Sequence, residues 1–197
     1  LKKWAEHNQP TLIYEPIISF PELDHSFENP LMQFMHIGRS AHQAYESISH
    51  GDLNSTNILV DAGKYETWLI DYYQTGLNHQ LTDFTKLESV IKFELLDNQN
   101  LKSLLDAEQI LIRPELLSDP IDYQKGTFPL EIEKMIDSVK TIRTIASQYS
   151  QPLLTQAIPY YISLFYQYAN ALTFKSNDEH KKRLILLFLC VLGERLK

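Results

Sequence analysis

Apolar residues recur at helical spacing over most of this 197-residue chain, and a few short runs break the rhythm. After Asn29-Pro30, which reads as an N-cap followed by a first-turn proline, Leu31, Phe34, Met35, Gly38, Ala41, Tyr45 and Ile48 follow at three- and four-residue steps. They predict a helix from about residue 29 to Ser49. Met32, Phe34 and Met35 fall at core spacing, so they read as packing and not as a ligand box. Phe84, Leu87, Ile91 and Leu95 mark the buried face of a helix over 81–96, and a shorter helix is predicted over 101–111. Ile132, Met135, Ile136, Val139, Ile142, Ala146 and Tyr149 form a clean amphipathic stripe. Residues 153–174 are apolar nearly all round, which predicts a central buried helix with Pro159 near its start or at a kink. A final helix is predicted over 178–196.

The interruptions are equally informative. Residues 57–61 and 67–71 are short apolar runs on either side of Ala62-Gly63-Lys64, the pattern of a small antiparallel hairpin with Asp61 as a turn residue. Residues 1–28 carry Pro10, Pro16 and Pro21, so they read as extended pieces and turns, a linker ahead of the helical body. Residues 112–129, with Pro114, Pro120, Gly126 and Pro129, read as a loop. The expected class is α+β, mostly α-helical, in one domain: a linker (1–28), a region around the hairpin (29–96) and a helical subdomain (97–197).

Composition narrows the options. The chain is 44% hydrophobic and 22% charged, with a net charge of −7. It therefore has no global basic footprint for nucleic acid or for an anionic membrane. The one cysteine, Cys190, excludes an intrachain disulfide and a multi-cysteine zinc site, and suits a reducing, cytoplasmic setting. The apolar run around Cys190 is about half the length a bilayer span needs. His7, His25, His36, His42 and His180 show no metal-ligand spacing, and His79 reads as a surface loop histidine. Tyr72, Tyr73 and the C-terminal tyrosines read as packing.

One stretch carries chemistry. In His50-Gly51-Asp52-Leu53-Asn54-Ser55-Thr56-Asn57, an Asp and an Asn stand five residues apart, and Asp71 follows at the end of the second hairpin strand. A carboxylate at Asp52 suits alignment of an attacking hydroxyl and late acceptance of its proton. The amide oxygen of Asn57 and the carboxylate of Asp71 are oxygen donors of the kind Mg²⁺ takes, and adjacent strands about 4.8 Å apart bring them toward a common ion.

His50 to Leu59 resembles the catalytic loop of the kinase-like phosphotransferases, in the His-Gly-Asp form of aminoglycoside phosphotransferases and choline kinases. Ile70-Asp71-Tyr72 resembles their metal-binding strand end, and Leu81-Thr82-Asp83-Phe84 the segment that opens the next helix. The stretch from Ile70 to Glu88 is also similar to the bacterial kinase-like domains grouped as ternary-complex-associated domains. The resemblance implies a protein-kinase-like C-terminal lobe whose small hairpin carries the metal site. It implies a catalytic base or aligner at Asp52, magnesium ligands at Asn57 and Asp71, and supporting roles for His50 and Asp83. The implied activity is transfer of a phosphoryl group from ATP, with Mg²⁺, to a hydroxyl of a small molecule or protein.

Two departures bear on this. None of the six glycines forms a Gly-x-Gly-x-x-Gly phosphate loop, and no N-terminal lobe with its lysine precedes His50. The expectation is that such a lobe lies upstream of Leu1 and that this chain alone binds ATP poorly. The alternative is a catalytically inactive kinase-like binding or regulatory module.

Overall fold

A computed structural model describes residues 15–30, 32, 45–97, 100–149 and 156–197. The architecture is α+β, helical in the main, with small antiparallel sheets. Strands β1 (Ile17–Phe20) and β2 (His25–Glu28) pair with each other, as do β4 (Ile58–Asp61) and β5 (Glu66–Leu69). Strand β3 (Glu46–Ser49) pairs with β6 (Gly76–His79). The helices are α1 (Thr82–Val90), which runs into a π-helical turn (Ile91–Leu95), α2 (Leu101–Leu111), α3 (Leu130–Tyr149), α4 (Ala157–Leu172) and α5 (Glu179–Arg195).

The helical half follows the apolar pattern closely. Ile132, Met135, Ile136, Val139, Ile142 and Ala146 of α3 are buried, as the stripe predicts, whereas its last member, Tyr149, is exposed. In α4 Pro159 sits in the first turn, where its missing N–H leaves no helical bond unmade. Tyr160, Tyr161, Leu164, Phe165 and Tyr168 lie fully inside against Leu187, Phe188 and Leu192 of α5. Local chemistry sets the helix starts: Asn100 accepts the Ser103 N–H at 3.0 Å for α2, and Asp178 the Lys181 N–H at 2.7 Å for α5. Cys190 of α5 is buried among these apolar side chains, and burial pushes its thiol well above the ordinary value. Among the described residues no helix is long and apolar enough to cross a membrane.

Three expectations need correction. Residues 17–28 are not a free linker. They form the β1–β2 hairpin, and Phe20 and Phe27 on its inner face are buried edge to face at 5.9 Å. Arg183 of α5 stacks over Phe20 and forms a two-pronged ion pair with Glu22, which fastens the hairpin to the helical body. The first predicted helix falls largely on residues outside those described, and its expected end at Ser49 is replaced by a strand. Glu46–Ser49 pairs with Gly76–His79, so the chain enters the His50 loop from a sheet. Among the described residues there are thus three two-stranded ladders where one hairpin was expected.

The third correction concerns α1. Its buried positions are Thr85, Glu88, Ser89 and Val90, continued by Lys92 and Phe93 in the π-helical turn, so much of the inward face is polar, whereas Leu95 is exposed and Phe84, Leu87 and Ile91 are only partly covered. A polar face is tolerable inside when every group on it is matched. Lys92 Nζ donates to Glu88, to Glu108 of α2 and to Tyr168 of α4, each at 2.7 Å. Arg143 of α3 donates to both Glu88 oxygens, at 2.7 and 3.0 Å, and to the Leu111 carbonyl. The Tyr160 hydroxyl donates to Glu88 at 2.7 Å. Two anions face two cations, and four helices and the π-helical turn meet at this cluster. Burial works to raise the Glu88 carboxyl, but the charges of Arg143 and Lys92 and their hydrogen bonds outweigh it and hold the group at about 2.

Removing one partner strands a buried charge. Arg143→Met is expected to cost about 3–5 kcal/mol in urea unfolding. Because the folded Glu88 value lies below its ordinary 4.5, the stabilisation is complete above about pH 4.5 and lost as pH falls toward about 2. An acid titration of the unfolding midpoint that stays flat through that window would show that the cluster is not ionised.

Candidate functional site

The His50–Asn57 loop is held by backbone bonds to the first turn of α1. The Asp83 carboxylate accepts the His50 N–H at 2.7 Å and the Gly51 N–H at 3.0 Å, one on each oxygen. His50 is buried, and its Nε2 lies 2.8 Å from the Ile70 carbonyl, so this ring nitrogen carries the proton. That bond joins the loop to the end of β5, while the Tyr72 ring packs 5.1 Å from the imidazole. Gly51 has φ +82°, and a Cβ there would stand 2.4 Å from the Gln74 carbonyl oxygen. Only glycine satisfies both the left-handed backbone and this close approach.

Downstream the loop organises itself. Asn54 Oδ1 accepts the N–H groups of Thr56 and Asn57 at 3.0 and 3.1 Å, capping a single 3-10 turn that delivers Asn57 to the mouth of β4. Asn57 is buried, and its Nδ2 donates to the Asp52 carbonyl at 2.9 Å. Its side-chain oxygen has no hydrogen-bond partner among the described residues. Across the hairpin, the Ile70 N–H donates to the Asn57 carbonyl at 3.0 Å, which sets Asp71 at the same end of the ladder. Asp71 adopts the left-handed conformation (φ 61°, ψ 64°) and is exposed; its carboxylate has no hydrogen-bond partner among the described residues. A non-glycine residue in this region is uncommon and often marks a functional position.

Asp52 and Asp71 line one open cavity of about 250 Å³, together with Tyr73 and Gln74. Asn57 does not line it, but is tied to Asp52 as described. Both oxygens of the Asp52 carboxylate are engaged: Oδ1 lies 3.2 Å from Lys86 Nζ, and Oδ2 accepts from Asn54 at 3.2 Å. The Asp71 carboxylate and the Asn57 amide oxygen are chemically suited to a hard cation such as Mg²⁺. Among the described residues no three His, Cys, Asp or Glu side chains come together as a metal cage, so an ion here would draw its other ligands from phosphate and water.

A sequence model of the family described as ternary complex associated domain 9 matches residues 17–165, well over half of the chain. The chain belongs to that family. Comparisons with curated proteins and with solved structures gave no match. The matched span of this ternary complex associated domain runs from β1 into α4, so it includes the β1–β2 hairpin, the whole His50–Gly76 stretch and Asp83.

Sequence reasoning gave no role to Lys86. It stands one helical turn after Asp83 and so faces the same loop, a spacing that was readable. His79 is not a surface loop residue: it closes β6, is half-buried and lines a second cavity. Tyr73 does not pack but is exposed, and Tyr72 packs against the His50 ring while staying largely exposed. On the ladders the cross-strand pairs Ile48–Leu77 and Leu59–Trp68 are also exposed. Asp61 is a turn residue as expected, accepting the Gly63 and Lys64 N–H groups at 3.0 and 3.2 Å.

Asp83→Ala would leave two amides of the loop without acceptors. We expect a loss of about 1–3 kcal/mol and faster hydrogen exchange at His50 and Gly51, read by mass spectrometry or NMR. Unchanged protection at these two amides would show that the carboxylate does not hold the loop.

Proposed function

We propose that this ternary complex associated domain is the acceptor-side lobe of a kinase-like phosphotransferase, which moves a phosphoryl group from Mg²⁺-ATP to a hydroxyl. The observation that carries the reading is the pair of aspartates, Asp52 and Asp71, on one open cavity, with Asn57 bonded to the backbone of the first. Similarity of the His50–Asn57 and Ile70–Tyr72 segments to kinase-like catalytic and metal-binding motifs supports it. In this reading Asp52 accepts a hydrogen bond from the acceptor hydroxyl, aligns it and takes its proton late in transfer. Lys86 and Asn54 fix the direction of the Asp52 carboxylate. Asn57 and Asp71 would hold Mg²⁺, which would supply positive charge to offset the negative charge developing on the transferring phosphate. His50 and Asp83 keep the loop in register with the hairpin end.

A second reading is a kinase-shaped binding module without turnover. The six glycines of this sequence favour it, since none forms the Gly-x-Gly-x-x-Gly loop that covers the nucleotide phosphates in kinases.

Phosphate transfer by the full-length protein separates the two. Under the phosphotransferase reading Asp52→Ala should lower the rate by about 10²–10⁴-fold, and Asp71→Ala should weaken Mg²⁺-dependent nucleotide binding while leaving the unfolding midpoint in place. Equal rates for wild type and Asp52→Ala would remove Asp52 from the chemistry. Nucleotide binding with no transfer to any acceptor would favour the module.

A further inference from the structure

The first turn of α1 and the outer face of α4 enclose a groove of about 280 Å³ lined by His79, Thr82, Pro159, Ile162, Ser163, Tyr166 and Gln167. No Asp, Glu, Lys or Arg is among its described lining residues. Three of its polar groups have no hydrogen-bond partner among the described residues: the Thr82 hydroxyl, the Gln167 amide and His79 Nε2. His79 Nδ1 is occupied, accepting the Leu81 N–H at 3.3 Å, which fixes Nε2 as the ring's N–H donor. Burial lowers the affinity of His79 for a proton, so the imidazole is neutral at neutral pH. Ser163 is spent on Thr85 at 2.9 Å, and the remaining wall is the apolar Pro159–Ile162 surface.

One residue relates this groove to the surroundings of Asp52. Gln167 also lines a narrow neighbouring cavity of about 30 Å³, and Lys86, the residue paired with Asp52, lies on that cavity's wall. The charges on that wall already have partners: Lys86 faces Asp52, and Glu94 accepts the Ser55 hydroxyl at 2.9 Å.

The lining chemistry selects a ligand class. A cationic amine or an anion entering the groove would lose hydration without meeting an opposite charge, a cost that hydroxyl groups avoid. Free hydroxyl, amide and imidazole groups against an apolar wall are matched by hydroxyls carried on a carbon frame. The volume lies at the small end of ligand pockets, roughly 300–1,000 Å³, so the frame is a single ring or a short chain. We infer that the groove between α1 and α4 is the acceptor site, and that the acceptor is a small uncharged polyol or monosaccharide, neither an amine-bearing sugar nor an anion. The word acceptor rests on the phosphotransferase reading of Asp52; the groove and its ligand class do not.

The test is an NMR titration of the full-length protein with D-glucose and myo-inositol as neutral probes and glucosamine as the cationic one, read at the Gln167 side-chain amide. Saturable shifts with a neutral probe are expected, with glucosamine weaker by about tenfold or more. Gln167→Ala and Thr82→Val, both checked for an unchanged unfolding midpoint, should each weaken the neutral probe by about three- to tenfold. The inference is overturned if neither neutral probe gives saturable shifts, if glucosamine binds as tightly as glucose, or if both variants bind as well as wild type. Incubation with Mg²⁺-ATP separates this from the parent reading. Groove binding without phosphorylation of either neutral probe keeps the site and its ligand class but removes the phosphotransferase reading. Phosphorylation of a neutral probe with Gln167 unmoved keeps phosphotransfer and overturns the groove.

Discussion

Glu88 is the group on which the rest of the structure leans. Its carboxylate receives Arg143 from α3, Lys92 from the π-helical turn and Tyr160 from α4, and Lys92 passes the connection on to Glu108 of α2. A cluster of this kind adds little net stability over an apolar replacement, because desolvation offsets most of the attraction. What it does impose is orientation. The directional bonds allow α1 one rotation about its own axis, and that rotation turns Asp83 and Lys86 toward the His50 loop. The packing of the helical half and the geometry of the candidate site are therefore one constraint seen from two ends.

The same cluster explains where reading the sequence succeeded and where it stopped. Apolar periodicity located the cores of α2, α3, α4 and α5, because burial of hydrophobic stripes is what positions those helices. It gave only part of the inward face of α1: Phe84 and Ile91 touch the core, but the most buried side is held by paired charges from helices far away in the chain. No local pattern encodes such a match. Strands β3 and β6 were missed for a related reason: Glu46-Ser47-Ile48-Ser49 and Gly76-Leu77-Asn78-His79 have weak alternation, and their pairing is a tertiary event. The β1–β2 hairpin hid behind its prolines, although Phe20 and Phe27 anchor it in the core. At the site, the identity of the loop, hairpin and supporting groups was legible from residue order. The position of Lys86 on Asp52, and the groove beside it, depended on how α1 and α4 lie against the loop.

The loop and the hairpin end behave as a single rigid piece. His50 bonds to Ile70, Asn57 to Ile70 and Asp52, and Gly51 lets the backbone at Gln74 come close enough to exclude any side chain. Substitutions on either limb will therefore be felt on the other, a coupling that argues for double-mutant cycles when the site is dissected. The exposed apolar pairs of the neighbouring ladders lie outside this rigid piece, and they set the character of the surface around it.

The burial of Cys190 has a practical side. A lone thiol enclosed within α5 and shifted away from the thiolate form reacts slowly with alkylating and spin-labelling reagents. The native sequence can thus serve as its own cysteine-free background. Single cysteines introduced on the exposed positions of β6 and α4 would take a probe selectively, which makes distances across the groove measurable by spectroscopy without first rebuilding the core.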